Sequence, residues 1–167
     1  SHYYGGNDCY KGIMEFYKAC KGEGINPVIG CEVYVAPRDR HEQYEVDGTR
    51  YYHLILLAEN NEGYRNLVQL VSRANTEGMY YKPRVDKELL RKYSQGLICL
   101  SACIAGEVPA WIIRGDMFRA EKVLQEYLEI FGRENFFIEL QNHGMPEEKK
   151  AMAGLLELAQ KYQLGLV

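Results

Sequence analysis

The chain has no large excess of charge of either sign and no long apolar run. Lys and Arg number 20 and Asp and Glu number 23, which gives a net charge of −3 over 167 residues. This balance argues against a domain that holds nucleic acid through bulk positive charge. No run of about 18 apolar residues is present to cross a membrane, and residues 1–6 lack a signal-peptide pattern. We therefore expect a cytoplasmic protein that makes no membrane contact.

The cysteines form no disulfide pattern, and the common catalytic motifs are absent. The number of cysteines is odd and no C-x-x-C pair occurs; the five are Cys9, Cys20, Cys31, Cys99 and Cys103. This usage predicts reduced thiols in a reducing compartment. The sequence also lacks a glycine-rich phosphate loop, a G-x-S-x-G elbow and an H-E-x-x-H helix. Function therefore has to be sought outside these motif classes.

Short β-branched runs alternate with longer amphipathic segments along the chain. The pattern predicts strands over 28–35, 52–58, 97–101, 136–141 and 164–167, and helices over about 8–21, 61–77, 86–93, 107–114, 116–131 and 146–162. A polar loop is expected over 36–50. The run from 52 to 58 is continuously apolar and predicts a parallel strand that is covered on both faces. The alternation favours an α/β fold with a mostly parallel sheet or barrel, in which ligands bind at the carboxyl ends of strands.

Four residues of metal-ligand type lie at or near the predicted strands. Glu32 interrupts an apolar strand, where it either forms an ion pair with Arg38 or Arg84 or binds a metal. His53 is either a core histidine or a ligand, and Cys103 is either a small hydrophobic residue or a ligand. His143 is either a turn residue or a secondary ligand. Carboxylate, imidazole and thiolate are all groups that zinc accepts, although their spacing alone does not prove a site.

Several segments in order closely resemble one family. They are INPVIGCEVYV (25–35), YYHLILLA (51–58), GYRNL (63–67), YYKPRVD (80–86), LSACIAGE (100–107) and ELQNHG (139–144). Together they resemble the PHP (polymerase and histidinol phosphatase) domain of the bacterial DNA polymerase III alpha subunit. The resemblance covers residues 10–167, so we interpret 1–167 as a partial PHP domain whose residues 1–9 form an atypical start.

The resemblance implies a barrel of about seven mostly parallel strands with a cluster of zinc or manganese ions. Glu32, His53 and Cys103 match family ligand positions and form a partial cluster, and His143 is a weaker candidate. Two early histidine-bearing strands and a late Asn-Asp-Val-His segment are not found in this sequence. We therefore expect an incomplete (β/α)7 barrel, in which the metal cluster is incomplete or absent and no residue belongs to a polymerase catalytic site.

The resemblance also suggests a function and partners. The first hypothesis is a fragment of a replicative polymerase, in which the PHP domain is a structural and interaction module. The remainder of that chain would synthesise DNA with magnesium, and a proofreading exonuclease subunit is an expected partner. The alternative is a metal-dependent 3′-5′ exonuclease or phosphoesterase domain. A stand-alone phosphoesterase is disfavoured by the polymerase-like segments 80–84 and 139–144. Exposed strand edges also predict self-association.

Overall fold

The described part of the chain contains seven strands, six α-helices and one short 3-10 helix, Arg133–Asn135. The structure is a computed structural model and describes residues 15–25, 27–102 and 104–167. The strands are β1 (Ile29–Val35), β2 (Tyr52–Ala58), β3 (Met79–Tyr80), β4 (Lys82–Val85), β5 (Leu97–Leu100), β6 (Phe136–Ile138) and β7 (Gly165–Leu166), and the helices are α1 (residues 15–22), α2 (Asn61–Glu77), α3 (Lys87–Lys92), α4 (Glu107–Ile113), α5 (Met117–Phe131) and α6 (Pro146–Tyr162). The predicted start of the first helix and Cys103 lie outside the described residues.

Side-chain caps fix where three of the helices begin. The Asn60 side chain accepts a hydrogen bond from the Gly63 N–H at 2.9 Å at the start of α2. The side chains of Asp86 and Asp116 cap the starts of α3 and α5 in the same way. A capping oxygen satisfies an N–H group that has no partner within the first turn, typically stabilising a helix by about 1 kcal/mol. These caps explain why the helices start where the sequence pattern predicted.

The strands form one sheet in the order β3-β4-β1-β2-β5-β6-β7. The pairs β1–β4, β5–β6 and β6–β7 are parallel, whereas β2 is antiparallel to both β1 and β5, and β3 is antiparallel to β4. Five of the seven strands therefore point the same way. The predicted α/β class with a mostly parallel sheet is confirmed, and the arrangement is consistent with an incomplete PHP-type barrel.

The predicted direction of β2 is wrong, and two strands were not predicted. β2 has the expected bounds, but its residues are alternately buried and half-buried, as in an antiparallel strand with one better-covered face. Its other face carries Ile55 and Leu57, so the run is apolar on both faces and its sequence does not reveal its direction. β3 and β4 were missed because the segment 79–85 contains a proline and two basic residues, a composition that is unusual for a strand.

The hydrophobic core lies between one face of the sheet and the helices. It contains Val33 and Val35 of β1, Leu54 and Leu56 of β2, and Cys99 of β5, which pack with the apolar sides of α2 and α5. The opposite face of the sheet is only half-buried over β2 and β5. Within the described part of the chain, Cys20, Cys31 and Cys99 are free thiols. Among the described residues, no helix is long and apolar enough to cross a membrane.

Two buried arginines hold the polar loop between β1 and β2. Arg84 of β4 is fully buried and donates hydrogen bonds to four backbone carbonyls, those of Arg40, Glu42, Arg50 and Gly78, at 2.9 to 3.1 Å. Arg40 forms an ion pair with the buried carboxylate of Asp86 at 2.9 Å. We call Arg40, Arg84 and Asp86 the loop anchor. Because of it, a loop that was predicted only from its polarity has a defined path.

Candidate functional site

The direction of β2 places the candidate ligands at one edge of the sheet. The carboxyl ends of β1, β4, β5 and β6 meet at this edge, and β2 contributes its amino end because it runs the opposite way. His53, the second residue of β2, therefore lies beside the ends of the other strands. From the sequence we expect functional residues at the carboxyl ends of strands. In the structure this group also includes His53, which lies near the amino end of a strand.

Glu32 and His53 are in direct contact. Glu32 Oε1 lies 2.5 Å from His53 Nδ1, and their side chains are 29% and 27% exposed. The register of the β1–β2 pair explains the contact, because His53 is opposite Tyr34 and Glu32 is opposite Ile55, which makes the two residues diagonal neighbours on one face. We call Glu32 and His53 the exposed pair. Glu32 thus pairs with His53 and not with Arg38 or Arg84, the two arginines that the sequence offered; the Arg84 guanidinium donates to backbone carbonyls.

Two tyrosines surround the imidazole. The Tyr34 ring meets the His53 ring edge-on with 5.2 Å between centroids, and the Tyr51 ring stacks on it at 6.0 Å. The His53 backbone N–H donates to the Ala105 carbonyl at 2.9 Å, which joins the start of β2 to the connection that follows β5. His53 is therefore fixed through its ring and its backbone while its side chain keeps some contact with solvent.

The connection after β5 passes next to His53. Ser101 is buried, and its Oγ accepts a hydrogen bond from the Glu139 N–H at 2.9 Å. Ala102 has φ of +63°, a left-handed conformation that costs free energy in a residue other than glycine. Cys103, the third predicted ligand, lies outside the described residues. Its place in the site stays a prediction.

His143 lies elsewhere at this edge and has a different partner. Its Nδ1 is 2.9 Å from Glu148 Oε1, and its backbone N–H donates to Glu148 Oε2 at 2.7 Å. These bonds hold the pKa of the Glu148 carboxyl below its ordinary value. The His143 side chain is 71% exposed. The contacts join the turn before α6 to that helix, in agreement with the turn role considered from sequence.

Glu139 is a residue of this edge that the sequence reasoning missed. It follows β6 directly, and Gln141 Nε2 donates to its Oε1 at 2.6 Å. Its Oε2 is buried and has no hydrogen-bond partner within the described part of the chain. A buried carboxylate oxygen without a partner is costly. The signal that identified Glu32, a carboxylate bordering an apolar run, also applies to Glu139 in the segment 136–140.

The described residues do not complete a metal cluster. The exposed pair supplies a carboxylate and an imidazole, both suitable donors, but a zinc site needs three or four ligands. Across residues 15–25, 27–102 and 104–167, the one group of three candidate donors close enough to share an ion is Asp39, Asp86 and Glu88. Arg40 forms ion pairs with Asp86 and Glu88, so this acidic group already has a cationic partner. Asp39 in turn faces His41 Nδ1 at 2.7 Å, so the group is better explained by these contacts than as a metal site.

Comparison with known proteins identifies the family. The family model described as "PHP domain" matches residues 7–143. The chain belongs to the PHP domain family. The DNA polymerase III subunit alpha of Treponema pallidum is 52% identical over 157 residues, covering 93% of this chain and 13% of the relative. That of Thermus aquaticus is 49% identical over 158 residues, again covering 93% and 13%.

A more distant relative is likewise much longer than this chain. The DNA polymerase III subunit alpha of Aquifex aeolicus is 38% identical over 162 residues, covering 93% of this PHP chain and 14% of the relative. The chain thus spans less than a sixth of the length of these polymerase subunits. PHP domains typically bind metals.

Proposed function

We propose that this PHP domain is a structural and interaction module within a bacterial replicative DNA polymerase chain. The observation that carries the proposal is the match of 93% of the chain to polymerase III alpha subunits of which it spans 13%. The remainder of such a chain would synthesise DNA with magnesium and would contact the DNA. We also propose a cytoplasmic location and a proofreading exonuclease subunit as a partner.

Primer extension tests this proposal. A full-length chain that carries this segment should incorporate nucleotides in a template-dependent manner, whereas residues 1–167 alone should incorporate none. The near-neutral charge supports a role in protein contacts, since a domain that grips DNA by itself usually carries excess Lys and Arg. Template-dependent incorporation by residues 1–167 alone would contradict the proposal.

A second candidate function is metal-dependent phosphoester hydrolysis, as in a 3′-5′ exonuclease. It is favoured by the contact between Glu32 and His53 at the sheet edge. We propose Glu32, His53 and Cys103 as the residues that would hold zinc or manganese, with His143 as a weaker candidate because its Nδ1 faces Glu148. A bound metal ion supplies an activated water and offsets charge on phosphate oxygens. The described donors are too few to derive a catalytic step.

Metal analysis separates the two candidates. One or more tightly bound zinc or manganese ions per full-length chain, lost in Glu32→Ala, would support the hydrolytic candidate. The surface variant Glu62→Ala, in the first turn of α2, is the matched control and should retain the metal. Metal content that is negligible in the wild-type chain would leave the structural role as the sole proposal.

Self-association is a further proposal for the chain studied alone. Within the described sheet, β3 and β7 are the outer strands, and Leu166 of β7 and the adjacent Val167 are about half exposed. An exposed apolar edge favours pairing with another chain. Sedimentation of residues 1–167 should show a concentration-dependent dimer, and a clean monomer at all concentrations would contradict this expectation.

A further inference from the structure

A buried polar network lies directly behind the connection that contacts His53. Glu107, the first residue of α4, is 6% exposed. Its Oε1 is 2.9 Å from Lys87 Nζ, and its Oε2 accepts a hydrogen bond from the Tyr127 hydroxyl at 2.9 Å. We call Lys87, Glu107 and Tyr127 the buried triad. The triad joins the starts of α3 and α4 to the middle of α5.

The triad is one residue away from the backbone that holds His53. Gly106 precedes Glu107 and forms an isolated parallel bridge with His53, whose N–H donates to the Ala105 carbonyl at 2.9 Å. If Gly106 moved away from β2, Glu107 would have to leave its two partners. A buried carboxylate that loses its partners is strongly destabilised. The position of Glu107 therefore restrains the position of Gly106.

The other end of the same connection is also held. The Ser101 N–H donates to the Phe137 carbonyl at 3.0 Å, and the Ser101 hydroxyl accepts from the Glu139 N–H. Between these two attachments Ala102 keeps its left-handed conformation. A strained residue persists where the surrounding contacts determine it. The connection is thus fixed by β6 at one end and by the buried triad at the other.

We propose that Lys87, Glu107 and Tyr127 are positioning residues that hold the 104–106 backbone against His53 and so set the place of the exposed pair. The proposal deepens the second candidate function and rests on it, because the exposed pair has a chemical role there as a metal-binding group. The positioning itself can be measured without any metal. Lys87 also contacts Glu126 Oε1 at 2.5 Å, and Glu126 is more exposed than Glu107, so Glu126 offers a matched control.

Hydrogen exchange with mass spectrometry on the full-length chain tests the proposal. Glu107→Gln should accelerate amide exchange about tenfold in peptides that report on His53 and residues 104–107, with residues 97–100 unchanged, because only the local restraint is removed. Tyr127→Phe keeps the ring and should give a smaller change at the same peptides. Glu126→Gln should leave them as in the wild type. Tyr127→Phe also keeps the test open if Glu107→Gln does not fold.

Two outcomes would overturn the positioning role. One is an equal acceleration throughout β1, β2 and β5, which indicates a purely global loss of stability. The other is unchanged exchange at His53 in both variants. Zinc and manganese titrations of the same proteins give a separate readout: metal affinity that falls about tenfold in Glu107→Gln but not in Glu126→Gln supports the role. If the wild-type chain binds no metal, the hydrolytic candidate fails, and the exchange data still decide the positioning.

Discussion

The loop anchor and the exposed pair are two polar regions of the same domain with opposite characters. In the loop anchor, Arg84 is fully buried and four carbonyls accept its hydrogen bonds. In the exposed pair, Glu32 and His53 touch each other while over a quarter of each side chain is exposed. At the same sheet edge Glu139 Oε2 has no partner within the described chain. The loop anchor is thus buried and hydrogen-bonded to the loop that it holds, whereas the exposed pair keeps contact with solvent.

The largest effect should come from breaking the loop anchor. Arg84→Met removes the donors of four backbone carbonyls that are buried or partly buried, and we expect it to lower the free energy of unfolding by about 3 kcal/mol or more. Urea unfolding measures the change. Arg84→Lys should recover only part of the loss, since an ammonium group does not reproduce the planar arrangement of guanidinium donors. A stability loss below about 1 kcal/mol in Arg84→Met would contradict the role of the anchor.

The second-largest effect should come from alkaline pH, which lowers the stability of the folded domain through its buried titratable groups. Burial raises the pKa of the Cys99 thiol, and burial together with Glu107 raises the pKa of the Tyr127 phenol. The ordinary pKa values of these groups are 9.0 for the thiol and 10.0 for the phenol. When the pH exceeds these values, the groups lose protons more readily in the unfolded chain than in the folded one. The contribution of these groups to the free energy of unfolding is therefore complete below about pH 9. It falls as the pH rises, by up to about 1.4 kcal/mol per pH unit for each group.

Urea unfolding between pH 8 and pH 11 checks this slope. Tyr127→Phe removes one of the two titrating groups, so its stability should fall less steeply above pH 10 than that of the wild type. Lys87, whose pKa is raised by Glu107 and Glu126 against the opposing effect of burial, contributes in the same direction. Stability that rises with pH in this range would be inconsistent with the buried state of these groups.

A substitution in the exposed pair should have the smallest effect on stability. Glu32→Gln removes a partly exposed charge contact, and we expect a loss of no more than about 1 kcal/mol. Thermal unfolding of Glu32→Gln beside Arg84→Met measures the difference directly. Equal losses in the two variants would remove the distinction between a fold-determining region and a candidate site.

Much of the fold followed from local patterns in the sequence. The bounds of α2 and β2 were predicted correctly because capping residues and apolar periodicity mark them. The direction of β2 was not, since both of its faces are apolar and direction depends on its neighbours. The segment of β4 was missed because its arginine is stabilised by carbonyls of a distant loop, and that contact has no local sequence signal.

The types of residue in the site could be predicted from the sequence, but their arrangement in space could not. Glu32 and His53 were identified as metal-ligand types, but their contact depends on the β1–β2 register. The separate partner of His143 depends on how α6 packs, which places Glu148 beside it. Glu139 was overlooked although it borders an apolar strand as Glu32 does. Apolar runs that contain or border a carboxylate are therefore the most useful sequence signal in this chain.

Primer extension by the full-length chain tests the central proposal, that this PHP domain supports the structure of a replicative polymerase through its fold and not through the exposed pair. We predict that Glu32→Gln extends primers within about twofold of the wild-type rate, since its stability is nearly unchanged. Arg84→Met should lose most extension activity at 37 °C, in parallel with its loss of folded protein. Extension reduced to background by Glu32→Gln, or left intact in an unfolded Arg84→Met domain, would contradict the account.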